Sequence, residues 1–127
     1  MVGGQAMRLV VGVGLNSRAE AGEVVRLIAV SLEEAGQEAN AVAVVASSER
    51  KAGSPVLDAV AGHFGAELRF IADADLRAVE IEEPSQLTLA SVGLESVAEA
   101  AVRSFGRLVL GKRKSANATC AIGSIAP

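Results

Sequence analysis

Aromatic residues are scarce in this chain: 3 of its 127 residues are Phe, and Trp and Tyr are absent. The core must then be built from Val, Leu, Ile and Ala, which favours helices laid on a sheet, with small residues allowing close approach. The same shortage removes the stacking platforms on which single-strand nucleic-acid binders rely. Positive charge is not in excess either, since 12 Lys and Arg stand against 15 Asp and Glu for a net charge of -3. That sign is wrong for a protein whose main partner is a phosphate backbone, so no nucleic acid is expected. A single cysteine, Cys120, excludes an internal disulfide and a cysteine-based zinc site, and a single histidine, His63, excludes a histidine-rich metal site. No metal and no cofactor is expected. Apolar runs fall far short of a membrane span, and the start "MVGGQAMRLVVGVG" lacks a cleavage pattern. The chain reads as cytoplasmic, with no membrane partner and with residues 1–6 as a loose leader.

What is present alternates. "MRLVVGVG" (7–14) and "AVAVVA" (41–46) are short apolar runs of the kind found in strands covered on both faces, and "ELRFIA" (67–72) is a third strand. Between the first two, Val24, Leu27, Ile28 and Leu32 recur at helical spacing and Gly36 stands where that helix would stop. Ser17 with Glu20 has the form of a capping box that would start the helix near Arg18. Ser54 before Pro55 opens a second helix carrying Val56, Val60 and Phe64. "DADLRAVE" opens like another short helix. Further on, "EPSQLTLASVG" and "ESVAEAAVRSFG" read as two helices closed by Gly93 and Gly106. "RLVLGKRKSANATCAIG" then reads as two antiparallel strands flanking a basic loop. The expectation is one α/β domain over 1–127: three layers, a mixed and mostly parallel sheet flanked by helices, and a C-terminal antiparallel strand pair.

"GVGLNSRA" sits at a strand-to-helix turn, where exposed N–H groups favour an anion. It is not a dinucleotide fingerprint, because Ser17 stands where the third glycine belongs, and no Gly-Lys-Ser makes it a phosphate loop. Two readings stay open for Gly12, Gly14, Leu15 and Asn16: a plain turn out of the sheet, or a loop facing an anion. Asp73, Asp75, Glu80, Glu82 and Glu83 read as solvated surface, His63 as a helix-end residue, and Cys120 as packing. Glu99 stands amid small apolar residues near the basic loop in sequence. Cations gather after strands: Arg18 at the first helix, Arg50 and Lys51 after the second strand, and Lys112, Arg113 and Lys114 after the fourth. In open α/β sheets ligands bind beyond the carboxyl ends of the strands. Convergence of these loops there would give an acidic protein one positive basin, suited to a small polycarboxylate or phosphate.

These residues resemble a known family. "VGVG", the lysine of "SSERKAGSP", "PSQL", "VGLESVAEAA" and above all "KRKSANATCAI" are similar to the CobE and CbiG C-terminal domain family of cobalamin biosynthesis, over about residues 7–122. As a small isolated domain the chain resembles the stand-alone CobE type more than the longer CbiG type. The resemblance implies an α/β fold and a precorrin or cobyrinic-acid-type tetrapyrrole as ligand. It carries the family's lysine onto Lys51, its "PS" onto Pro84 and Ser85, its "SVAEA" onto residues 96–100 including Ser96 and Glu99, and its Lys-rich turn onto Lys112, Lys114, Asn117, Ala118 and Thr119. A Cys-Arg-Arg-Gly-like segment usual in the family is replaced here by Leu15, Asn16, Ser17 and Arg18, so no role of that cysteine transfers.

The resulting expectation is a corrin-ring biosynthesis protein that holds or hands over a polycarboxylate tetrapyrrole, with other corrin-pathway enzymes as further partners. Its ligand set is Gly12, Gly14, Leu15, Asn16, Lys51, Ser96, Glu99, Lys112, Arg113, Lys114, Asn117 and Thr119. The alternative is lactone opening of the cobalt-precorrin-5A hydrolase type, as in the fused CbiG proteins. No catalytic set is recognisable for that reaction, and Lys51 or Glu99 would be its nominees.

Overall fold

The computed structural model describes residues 8–72, 74–75 and 94–125. In chain order it contains β1 (Leu9–Leu15), α1 (Ala21–Ala35), a 3₁₀ turn (Ala39–Ala41), β2 (Val42–Ser48), a second 3₁₀ turn (Glu49–Lys51), α2 (Pro55–Phe64), β3 (Glu67–Ile71), α3 (Leu94–Arg103), β4 (Gly106–Lys114) and β5 (Ala118–Ile125). The sheet order is β3-β2-β1-β5-β4. The β1–β2 and β2–β3 pairs are parallel, whereas β5 runs against both β1 and β4. Four strands therefore share one direction and only β5 is reversed. The expected α/β class, the central first strand and the closing antiparallel pair all hold. The readings of a helix at "DADLRAVE", of a helix over "EPSQLTLASVG", and of Pro84, Ser85 and Gly93 lie outside the described residues, apart from Ala74 and Asp75.

All seven residues of β1 are buried, as a strand covered on both faces must be. Alternation along the strand divides the core. Leu9, Val11, Val13 and Leu15 pack with Val24, Ile28 and Leu32 of α1, with Leu57 and Val60 of α2, and with Ala118, Cys120 and Ile122 of β5. Val10 on the other side packs with Val44, Ala46 and Ala121 beneath Ala98, Ala101 and Val102 of α3. On that second face the small residues are a steric requirement: a Cβ at Gly12 would overlap the Ala98 carbonyl, and one at Gly123 would overlap the Val102 side chain. Gly12 thus lets α3 lie directly on the sheet.

Helix ends follow their local chemistry with two exceptions. Gly36 ends α1 with φ 71°, donating its N–H to Glu33 O while Gln37 N–H reaches Leu32 O. Ser54 caps α2, its Oγ accepting the Leu57 N–H at 3.3 Å, with Pro55 as first helical residue. The capping box expected at Ser17 does not form. Helix α1 starts later, with Glu20 in the cap position and no side-chain cap, because Asn16 takes over the turn through its Oδ1, which accepts the Arg18 N–H at 2.8 Å. Nor does Gly106 close α3. It is the first residue of β4, where a Cβ would overlap the Ser124 carbonyl.

The largest departure from expectation concerns the cations. Lys112, Arg113 and Lys114 are not a loop but the last three residues of β4, and the turn is the short segment 115–117. Strand β4 is irregular, its register shifting between Leu108 and Leu110 and again between Leu110 and Arg113. At the second shift Glu99 on α3 accepts the Lys112 N–H at 2.8 Å, satisfying a donor that the bulge takes out of the ladder. Arg113, opposite Cys120, shares that residue's face and pairs with Glu34 of α1 in two parallel bonds, Nε to Oε1 at 2.9 Å and Nη2 to Oε2 at 2.8 Å.

Two predictions come from this packing. Gly12→Ala is expected to destabilise the protein by about 1–3 kcal/mol, the usual range for forcing atoms into a filled core; an unchanged urea midpoint would contradict the close approach of α3. The Arg113 guanidinium holds the Glu34 carboxyl below its ordinary value. A depressed carboxylate stabilises the fold above its unfolded-state value and loses that contribution as pH falls through the folded one. Glu34→Gln should therefore lower the urea midpoint at neutral pH, and the gap from wild type should close in acid below the usual glutamate range. A gap that persists there would count against the ion pair.

Candidate functional site

Strand polarity puts the ends of β1, β2, β3 and β4, together with the start of β5, along one edge of the sheet. Leu15 pairs with Ala118, and Thr119 with both Gly14 and Lys114, so the β1 terminus, the 115–117 turn and the end of β4 lie side by side. Ser48 and Ile71 end β2 and β3 in register at the same edge.

A cavity of about 430 Å³ opens there on the α1/α2 side, lined by Leu15 at the end of β1, by Asn16, Ser17 and Ala19 after it, and by residues 50–56 after β2. The described residues lining it include two cations, Arg50 and Lys51, and no carboxylate. In a chain with net charge -3 this is a local reversal of sign. Lys51 is half-buried and Arg50 exposed. Helix α2 begins against the same wall. Pro55 has no N–H, Ser54 Oγ takes that of Leu57 at 3.3 Å, and the Asp58 N–H bonds the Ser54 carbonyl at 3.1 Å. Val56, which lines the cavity, lies in the first turn of α2 at the positive end of the helix dipole.

The expected ligand residues separate into groups. Leu15, Asn16 and Lys51 line the cavity. Lys114, exposed, lies opposite buried Thr119 and so on the α3 face, alternate to Cys120. Lys112 is half-buried at the bulge of β4. From β2 to β4 is three strand steps, about 14 Å at the usual strand spacing, and none of Lys112, Arg113 and Lys114 lines the cavity. The single cationic basin is thus replaced by a cavity on one side of the edge and a basic strand end on the other. Arg113 is turned toward Glu34, Glu99 is engaged at Lys112 N–H, and Gly12 serves α3 packing. Gly14 pairs with Thr119 inside the sheet, and Ser96 lies in the first turn of α3.

Asn117 is a junction. Its carbonyl accepts the Asn16 N–H at 3.0 Å and its Oδ1 accepts from Asn16 Nδ2 at 3.2 Å. Glu23, near the start of α1, accepts from the Ser115 hydroxyl, from Asn117 N–H at 2.7 Å and from Asn117 Nδ2 at 3.2 Å. Those donors, Ser115 foremost, hold the Glu23 carboxyl below its ordinary value. Cys120, beside Ser31 at 3.3 Å, is pushed up by burial and is blunted as a nucleophile. His63 is exposed at the end of α2, its ring edge-on to Phe64.

Sequence reasoning missed the wall formed by Ser54, Pro55 and Val56, although the Ser-Pro helix start beside Lys51 was a readable signal for a helix N-terminus near a cation. It also missed Glu23, whose partners are 92 and 94 residues away and leave no local pattern. Among the described residues no helix is long and apolar enough to cross a membrane, and no group of His, Cys, Asp and Glu is placed to hold a metal ion.

Comparison with known proteins gives a consistent result. The family model described as "Cobalamin synthesis G C-terminus" matches residues 9–123. Protein CobE from Sinorhizobium sp is 36% identical over 120 residues, covering 90% of this chain and 78% of that protein. Among solved structures, the cobalamin biosynthesis protein chiG from Agrobacterium tumefaciens str. C58 superposes with a TM-score of 0.72 at 26% identity, over 94% of this chain and 99% of that one. The crystal structure of CobE, a protein from the cobalamin (vitamin B12) biosynthetic pathway, gives 0.67 at 23% identity over 94% and 92% of the two chains, a likeness of fold. The chain belongs to the cobalamin synthesis G C-terminus family and is a cobalamin biosynthesis protein of the CobE and CbiG C-terminal type.

Proposed function

We propose that this protein binds a corrin-type tetrapyrrole bearing free carboxylic acid arms, and holds it for transfer to another enzyme of corrin synthesis. The observation that carries the reading is the cavity at the carboxyl edge of the sheet, with two cations, the first turn of α2 and no carboxylate among its described lining residues. Carboxylates are the acid groups such a ring carries, and charge-assisted bonds to Lys and Arg are the strong way to hold them.

Size determines how the ring would sit. A 430 Å³ space lies in the lower half of the usual range for small-molecule pockets, about 300–1,000 Å³. A tetrapyrrole with its arms exceeds what such a space encloses, so the cavity takes one or two arms while the macrocycle lies over the edge. Lys114, on the far side of that edge, is then within the footprint of the opposite arms. The hydroxyls in the cavity wall are Ser17 and Ser54, of which Ser54 is engaged in capping α2, and neither has a His or carboxylate beside it among the lining residues. Glu99, engaged at Lys112 N–H, does not line the cavity. Holding a ligand fits this arrangement better than opening a lactone does.

The test is an absorption titration with cobyrinic acid, the cobalt corrin whose arms are free acids, beside its fully esterified form. The acid is expected to bind and the ester not to. Lys51→Ala should weaken binding by about tenfold or more, the scale of one charge-assisted hydrogen bond, and should flatten the salt dependence. Lys112→Ala with Lys114→Ala should act in the same direction. Equal binding of acid and ester, or an unchanged affinity on losing Lys51, would overturn the reading.

A further inference from the structure

The Lys51 cavity and the basic end of β4 lie on opposite sides of the sheet edge and share no lining residue, yet one continuous chain of hydrogen bonds joins them. It begins at Glu23, which lines neither. Glu23 Oε2 accepts from the Ser115 hydroxyl and from the Asn117 N–H at 2.7 Å, and Oε1 accepts from Asn117 Nδ2 at 3.2 Å. The turn directly after Lys114 is thereby fastened to the first turns of α1. Asn117 continues the link to the cavity wall, its carbonyl and its Oδ1 accepting from the backbone and side-chain N–H groups of Asn16 at 3.0 and 3.2 Å. Asn16 closes the chain by accepting the Arg18 N–H at 2.8 Å, which shapes the 16–19 loop. The β1–α1 loop and the β4–β5 turn are therefore bonded to each other through Asn16 and Asn117, and Glu23 on α1 braces the turn side of that link.

We propose that Glu23 is a positioning residue, fixing the spacing between the Lys51 cavity and the Lys114 end of β4 so that both engage one polyacidic ligand together. The inference rests on the binding reading given above. Its physical basis is that two weak contacts on a rigid frame act as an intramolecular pair, and that the gain is lost when their separation is free to vary. A carboxylate suits the task because three donors converge on it and it donates nothing. A glutamine has one acceptor oxygen; with that oxygen toward Ser115 and the Asn117 N–H, its NH2 group meets Asn117 Nδ2 donor to donor and that bond is lost.

The experiment compares wild type with Glu23→Gln in cobyrinic acid titrations, each with and without Lys51→Ala, Lys114→Ala and both, alongside amide hydrogen exchange. In wild type the two lysine substitutions should be coupled, their combined effect differing from the sum of the two. In Glu23→Gln, affinity should fall about tenfold, the coupling should vanish, and exchange should quicken at Asn16 and Asn117 while the amides of the β1 core keep their protection. Faster exchange with affinity and coupling unchanged would overturn the proposal, as would no change in exchange. A general loss of stability would not by itself remove the coupling, so a purely structural role is told apart. Should Glu23→Gln fail to fold, Ser115→Ala removes one of the three donors to Glu23 from outside the cavity wall and is read in the same way. Failure of wild type to bind cobyrinic acid would instead overturn the binding reading, and this inference with it; binding by wild type with intact coupling in the variants would overturn this inference alone.

Discussion

Because β5 runs against its neighbours while β4 runs back again, four of the five strands point the same way, and their carboxyl ends share one edge with the start of β5. Everything that bears on function depends on that polarity. With β4 reversed, Lys114 would lie at the far edge, a strand length from Leu15. Ligand sites outside the carboxyl ends of strands are the general rule for open α/β sheets. Here a mixed sheet obeys it by bringing a basic strand end alongside the loops that follow β1 and β2.

The helices are held on this sheet by contacts that look unrelated to binding. Gly12 and Gly123 remove side chains so that α3 can rest on β1 and β5, and Glu99 on that helix takes up the N–H released by the bulge in β4. On the other face the two-bond pair of Arg113 with Glu34 ties the end of β4 to α1. The three adjacent cations therefore divide their work. Arg113 faces α1 and pairs with Glu34, Lys114 shares the face of Thr119 toward α3, and the bulge sets Lys112 between them.

Sequence periodicity revealed most of the fold. Helical spacing in α1 and α2, the glycine stop at Gly36 and the Ser54 cap were legible because each is set by residues within one or two turns. The family likeness was legible in the same local way, in "SVAEAA" and "KRKSANAT". What failed was non-local. The cationic triplet looked like a loop because strand irregularity is dictated by what packs on the bulge, here Glu99, and not by the residues of β4. The packing demand on Gly12 was not legible because the obstacle that imposes it, the Ala98 carbonyl, comes from a helix more than 80 residues later. That Lys51 follows a buried strand was legible as a local property, and it lines the cavity there, whereas the bonds between Glu23 and Asn117 exist only once distant segments meet.

The central claim is that an acid-bearing corrin lies across the carboxyl edge of the sheet, with arms entering the Lys51 cavity. Mapping backbone amide chemical shifts as cobyrinic acid is added tests this most directly. Changes concentrated in residues 16–19, 50–56 and 112–117 are the predicted result. Changes concentrated instead on the exposed face of α1, or at the opposite edge around Arg8, Gly106 and Ile125, would contradict the account.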